Sequence, residues 1–216
     1  RTLHRQETAS VNVIRPAAHR SWRIPMLRPL LIFFVLTAPG IACGNPFAYP
    51  SVESEERLPG EGPLRRYDGL VKRWPEFREK WSREVEKDHG SVVFFGDSIT
   101  QGWGVDFRGK FTGMKLANRG IGGDTTRGML IRVKEDVLAL NPAAIVLLLG
   151  TNDIEVGLEP DVIGRNLKKI LAAIKANSSS VPIILCRIFP SSAERSRPRE
   201  AIERVNGIYE AAVKDD

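Results

Sequence analysis

Three short polar segments hold the residue types from which an acyl-transfer site could be built: Gly96-Asp97-Ser98-Ile99-Thr100, Asn118-Arg119-Gly120-Ile121-Gly122-Gly123-Asp124-Thr125 and Gly150-Thr151-Asn152-Asp153. Ser98 stands two residues after a glycine that closes an apolar run, at the start of a predicted helix. A hydroxyl there is lifted above the sheet, and its own N–H lies at the positive end of the helix. That placement suits a nucleophile, although Asp97 or Ser98 taken alone would serve as well as a helix cap. Gly122-Gly123 lets the backbone approach a ligand, and Asn152 offers an amide donor. The tetrahedral intermediate of an ester needs donors aimed at its oxyanion, and the N–H groups of Ser98 and Gly123 with the Asn152 amide would supply three. Read singly, the glycines make a tight turn and Asn152 an Asx-turn. Their coincidence at one sheet edge favours chemistry.

Other cofactor and metal chemistries fail on the residues present. A dinucleotide fingerprint beginning at Gly120 would need glycine where Thr125 stands, and there is no Gly-x-x-x-x-Gly-Lys loop. Two cysteines and three histidines supply neither a disulfide framework nor the usual Cys/His zinc cluster. No cofactor and no metal are therefore expected.

The elements that must position these residues alternate in type. Leu64, Tyr67, Val71 and Trp74 recur at helical spacing, and Pro75 is expected to restart a second helix carrying Phe77, Trp81 and Val85. Strands are predicted over 91–95, 114–118, 144–149 and 181–189. Between and after them lie helices with Met129, Val133, Val137 and Leu140 inward, then Ile163, Leu167, Ile170, Leu171 and Ile174, then Ile202, Val205 and Ile208. The continuous apolar run of the first strand implies a parallel sheet covered on both faces. The fold class is α/β, a doubly wound parallel sheet, with functional groups gathered at the carboxyl ends of its strands.

The three blocks, in order and each after a predicted strand, resemble the GDSL/SGNH hydrolases, and within them the branch of platelet-activating-factor acetylhydrolase and related bacterial acylesterases. The resemblance covers about residues 90–213. It implies a flavodoxin-like α/β/α fold and a small-molecule ester as substrate, an acylated carbohydrate or a lysophospholipid. It also implies Ser98 as nucleophile, with an oxyanion hole formed by the Ser98 N–H, the Gly123 N–H and the Asn152 amide. Gly123 takes that role rather than Gly122 because it immediately precedes Asp124. Asp97 and Asp153 hold the turns, with Gly122 and Asp124 in support.

Family members carry a fourth block, an Asp and a His three residues apart after a fifth strand, in which the His deprotonates the serine. Here the sequence ends at Asp215-Asp216 with no Asp-x-x-His. His4 and His19 lie near the amino terminus. His89 precedes the first strand, which at ~3.3 Å per residue sets it roughly 15 Å from Ser98, beyond the reach of a general base. The expectation is an esterase domain without its last strand and its base, at least ~10³-fold less active than a complete relative. Its fourth strand should present an unpaired edge. The competing reading is a non-catalytic pocket that holds an acylated sugar or lipid. The connection from Trp103 to Phe111 is too short for a large lid, which favours small acyl groups in an open site.

Charge does not argue for an acidic partner. The 216 residues carry a formal net charge of +6, but residues 1–50 hold six arginines against one glutamate, and residues 51–216 hold the other 26 basic and 25 acidic residues. The body is nearly neutral, without a basic stripe interleaved with aromatics, so no nucleic-acid partner is expected. The basic stretch has its own explanation. Arg20, Arg23 and Arg28 precede the apolar run Leu30-Leu31-Ile32-Phe33-Phe34-Val35-Leu36 and then Gly40-Ile41-Ala42, the order of an export signal with its cleavage site. That run is far short of the ~20 residues that cross a bilayer. The organisation expected is upstream sequence and signal over 1–43, with Met26 as the start, a linker over 44–62 and the domain over 63–216. The protein would be secreted or periplasmic. A membrane enters only if Cys43, directly after Ala42, carries a lipid. Cys186, within an apolar run, reads as a buried small hydrophobe. The oligomeric state is left open.

Overall fold

Residues 11–14, 45–192 and 195–214 are described by a computed structural model of the chain. In chain order the elements are β1 (Val11–Ile14), α1 (Val52–Glu55), α2 (Asp68–Ser82), α3 (Val85–Asp88), β2 (Val92–Gly96), α4 (Ser98–Gln101), β3 (Leu116–Gly120), α5 (Thr126–Asp136), β4 (Ala144–Leu148), α6 (Thr151–Glu155), α7 (Pro160–Asn177), β5 (Ile183–Cys186) and α8 (Arg199–Lys214). They form one sheet of order β1-β5-β4-β2-β3, in which β5, β4, β2 and β3 run parallel. The chain leaves β2 for β3 on one side and then crosses to β4 on the other. Strand order therefore reverses at β2, where a parallel sheet opens a crevice. Gly96 is in register with Gly120 on one side and Leu148 on the other, so β2, β3 and β4 end level and their loops emerge side by side.

Helices α5, α7 and α8 cover one face of the sheet. Met129, Ile163, Leu167 and Val205 pack there against Val93, Phe95, Ile145 and Leu147, all fully buried. Among the described residues the second face is covered more thinly than the first. Alternate strand residues such as Val92, Phe94, Val146 and Ile184 are only half-buried. The connection from β2 to β3 brings little more than Phe107 and Phe111 to that side, with ring centroids 4.5 and 5.5 Å from Phe94. A continuous apolar run states that neither face is polar; it does not state how much lies over each.

Three expected element boundaries move. Pro75 does not restart a helix, because α2 runs through it. Leu70, Trp74 and Trp81 bury one continuous face, and that packing outweighs the hydrogen bond Pro75 cannot donate. Val71 and Tyr67, read as inward, are exposed. The second parallel strand begins and ends two residues later than predicted, with Arg119 inside it and buried. The last parallel strand is confined to Ile183–Cys186.

The outer edge of β5, expected to be open, is paired. β1 runs antiparallel to it with Val11 opposite Cys186 and Ile14 opposite Ile183. The β-branched residues of Val-Asn-Val-Ile suit an edge strand. A protein lacking residues 1–44 is accordingly expected to self-associate at micromolar concentration through the bared β5 edge, where the full chain does not. Sedimentation velocity on the two proteins checks this, and identical profiles would refute it.

Residues 45–62, read as a linker, lie against the body. Tyr49 meets the Trp74 ring edge-on at 5.2 Å, and the Asn166 amide bonds both the N–H and the carbonyl of Glu61 at 2.9 Å. His89 is exposed in the turn at the amino end of β2, and Cys186 is half-buried, its thiol pushed up by burial. The export segment, Met26, Cys43, His4 and His19 lie outside the described residues. Among the described residues no helix is long and apolar enough to cross a membrane.

Candidate active site

The level ends of β2, β3 and β4 bring the three polar segments to one cleft of about 440 Å³, lined by Ser98, Gly122, Gly123 and Asn152 among others. At the end of β2 the cap is Asp97, whose Oδ1 accepts the Ile99 N–H at 2.9 Å. The Ser98 side chain is thereby released from capping and sits exposed on the first residue of α4. At the end of β3 a Cβ placed on Gly122 would lie 3.6 Å from that of Ser98, so the two turns abut. Gly123 has φ +87°, and a side chain there would run into the Tyr67 hydroxyl. Glycine is required on both counts.

The hydrogen-bond pattern around this corner passes over two donors. The Gly122 N–H goes to Gln101 Oε1 at 2.6 Å and the Asp124 N–H to the Ile121 carbonyl at 3.1 Å. The Ser98 and Gly123 N–H groups have no acceptor among the described residues. At the end of β4, Asn152 is buried and fixed from both ends. Its Nδ2 donates to the Asp124 carbonyl at 2.8 Å, and its Oδ1 accepts from Arg65 Nη1 at 2.9 Å. One amide hydrogen remains for the cleft. Three donors around a serine hydroxyl can stabilise an oxyanion.

The supporting aspartates differ in what they hold. Asp153 accepts the Thr126 N–H at 3.0 Å and its hydroxyl at 2.6 Å, tying α6 to the start of α5. Asp124 takes the Thr125 N–H on one oxygen and Arg132 Nε on the other, the latter at 2.7 Å. Arg132 also donates to the carbonyls of Gly96 and Arg119, at 3.1 and 3.0 Å. It thus fastens the ends of β2 and β3 to the turn that carries Gly123. Burial pushes the carboxyls of Asp97, Asp124 and Asp153 up to about 6. Arg132 opposes that rise at Asp124 and the Thr126 hydrogen bonds oppose it at Asp153, while among the described residues Asp97 Oδ2 is buried without a partner.

The cleft contains residues that the sequence reading did not single out. Arg65 and Tyr67 come from the segment before α2, Arg73 from α2, Glu155 from α6, and Arg195 and Arg197 from the loop after β5. Arg65 and Arg197 both approach Glu155 Oε2, at 3.4 and 2.9 Å. The only sequence signal for the last pair was the polar run Arg195-Ser196-Arg197 placed after a strand's carboxyl end. Among the described residues no histidine lines the cleft, and no three His, Cys, Asp or Glu side chains converge as a metal site.

Comparison with known proteins places this geometry in context. Residues 94–216 match the model of the GDSL-like lipase/acylhydrolase family. Platelet-activating factor acetylhydrolase IB subunit alpha1 of Bos taurus is 26% identical over 144 residues, which cover 65% of this chain and 61% of that protein. The match thus spans about three-fifths of the relative's length. A GDSL-like lipase structure from Bacteroides thetaiotaomicron is similar at 30% identity and a TM-score of 0.55, over 67% of this chain and 73% of that one. A structure from Streptococcus pneumonia, at 24% identity, shares the fold with a TM-score of 0.62 over 68% and 72% of the two chains.

Proposed function

Because the chain belongs to the GDSL-like lipase/acylhydrolase family, we propose that its cleft is built to hydrolyse acyl esters, with Ser98 as nucleophile and the Ser98 N–H, Gly123 N–H and Asn152 amide as oxyanion donors. Ser98 Oγ attacks the acyl carbon, the alcohol leaves with a proton, and water then releases the acid from the acyl-serine. The observation that carries this reading is the convergence of an uncapped serine and three unspent donors on one cleft. Substrates are short acyl esters of a carbohydrate or a lysophospholipid, which the open cleft admits without a lid. Residues 1–43 would direct export, and their removal would take β1 with them and bare the outer edge of β5; sequencing the mature amino terminus tests that.

The serine's proton has a poor destination. Glu155 is the carboxylate in the cleft, and although burial would raise it, the Arg197 hydrogen bond and the charges of Arg197 and Arg65 hold it below the ordinary range. A carboxylate so held is a weak base. Turnover of p-nitrophenyl acetate by the 216-residue chain is therefore expected at least ~10³-fold below that of a relative with a complete triad, and abolished by Ser98→Ala. A steady-state assay of both proteins decides it. Fast turnover would refute the weakness of Glu155 as the base, and turnover indifferent to Ser98→Ala would refute the nucleophile. The low basicity of Glu155 favours one second reading, a pocket that binds an acylated sugar or lipid without cleaving it. Saturable binding of an ester that is recovered intact would identify it.

A further inference from the structure

We propose that the cleft recognises a phosphate-type dianion on the alcohol side of its ester, so that a phosphomonoester of a small polyol is the favoured class of leaving group. This rests on the ester-hydrolase reading for the identity of the scissile bond, but not for the anion site itself. Among the described residues the cleft is lined by four arginines, Arg65, Arg73, Arg195 and Arg197, against one carboxylate, Glu155. The body as a whole is nearly neutral, so this surplus is local.

Elsewhere the buried arginines are matched to carboxylates: Arg132 with Asp124 and Asp136, Arg78 with Asp136, Arg119 with Asp88 and Arg127 with Glu55. In the cleft the matching stops. Glu155 is bridged by Arg65 and Arg197 and also feels the charge of Arg195, and among the described residues no carboxylate forms an ion pair with Arg73 or Arg195. Among the described residues Arg73 donates to the Tyr67 hydroxyl, at 3.4 Å, and Nε of Arg73 and of Arg197 is buried without a partner. Like charges gathered in a partly desolvated cleft repel, and a bound anion removes that cost. Guanidinium forks pair with phosphate through two parallel hydrogen bonds, and an excess of three positive charges suits a dianion better than a carboxylate.

The position fits the chemistry. Arg65 donates to Asn152 Oδ1, so the arginine group begins one hydrogen bond from the amide offered to the oxyanion. An anion held there lies a few atoms from the scissile carbonyl, as the phosphate of an acylated glycerol phosphate would. Holding the alcohol by its anion also converts remote binding energy into orientation of the ester.

Calorimetric titration of the full 216-residue chain at low ionic strength tests this with glycerol 3-phosphate, glycerate and glycerol. Glycerol 3-phosphate is expected to bind roughly tenfold or more tightly than glycerate, and glycerol not measurably. Arg73→Gln and Arg195→Gln should each weaken glycerol 3-phosphate roughly tenfold, whereas Arg57→Gln, on an exposed residue outside the cleft, should not. Thermal melts confirm that the variants fold. Absence of binding, equal binding of glycerate, or cleft variants that bind like the parent would each overturn the proposal. Labelling of Ser98 by an uncharged fluorophosphonate, run in parallel, reports on the hydrolase reading alone. Because a serine without an effective base labels slowly, labelling is read at long incubation against Ser98→Ala: phosphate binding with no labelling above that variant refutes the hydrolase, and labelling above it without phosphate binding refutes only the anion site.

Discussion

Replacing Arg132 with methionine is expected to destabilise the protein by about 3–5 kcal/mol, a large part of the ~5–15 kcal/mol available to a domain. Arg132 is fully buried, with its guanidinium 4.5 Å from the Phe95 ring centroid and 5.7 Å from that of Trp74. Methionine approximates the volume and keeps the aromatic contact, so the loss is chiefly electrostatic. Asp136 retains Arg78, 3.0 Å away, but Asp124 loses the one arginine paired with it among the described residues. The Asp124 carboxyl, already pushed up to about 6 by burial against the pull of Arg132, would rise further. A carboxyl raised in the folded state contributes most below its unfolded value near ~4 and progressively less as pH climbs through the folded value. The deficit of Arg132→Met should therefore be larger at pH 8 than at pH 5, and Asp124→Asn on the same background should recover much of it. Urea denaturation at the two pH values measures both. A deficit independent of pH, or no recovery in the double variant, would show that packing rather than charge is what Arg132 supplies.

The same substitution reaches the chemistry. Arg132 donates to Gly96 at the root of the Ser98 turn and to Asp124 beside Gly123, and the Asp124 carbonyl holds the Asn152 amide. One side chain on α5 thus ties together the turns that carry all three proposed oxyanion donors, although it lines no part of the cleft.

Nothing in the sequence announced that role, and the reason is physical. Periodicity detects apolar faces, and it located Met129, Val133, Val137, Ile163, Leu167 and Ile174, all of which are buried. It treats a charged residue as an outward one. Arg132 and Asp136 stand four apart on α5 and read as an exposed helical pair, yet both are buried. Arg119 likewise looks like the start of a turn, which is why β3 was placed two residues early; its guanidinium is paired with Asp88 2.8 Å away. The segments that carry Ser98, Gly123 and Asn152 were legible because sterics and turn geometry restrict residue type locally. The arginines of the cleft come from segments as distant as 65 and 197, and a total charge cannot show that the surplus collects at one place.

Asp97 lies one residue from the proposed nucleophile and gives the second large effect. Replacing it with asparagine should stabilise the protein above pH 6 and do little below pH 4. Asp97 is fully buried; one oxygen accepts the Ile99 N–H and the other has no partner among the described residues. Burial, reinforced by the charge of Asp124, pushes its carboxyl up to about 6 against the Ile99 hydrogen bond and the charge of Arg197. Between the unfolded value near ~4 and that folded value, the native protein holds a proton that the unfolded chain has released. Stability therefore falls as pH rises across the interval, by about 3 kcal/mol for a difference of roughly two pKa units. Asparagine retains the oxygen that caps α4 and has no charge to bury, so its contribution stays level. Below pH 4 an unpartnered carboxyl hydroxyl is merely exchanged for an unpartnered amide, at nearly equal cost. The stability difference between Asp97→Asn and the parent should thus open from near zero at pH 4 to about 3 kcal/mol at pH 8. Chemical denaturation of both proteins across that range measures it, and parallel curves would mean that Asp97 finds in solution a partner for its second oxygen.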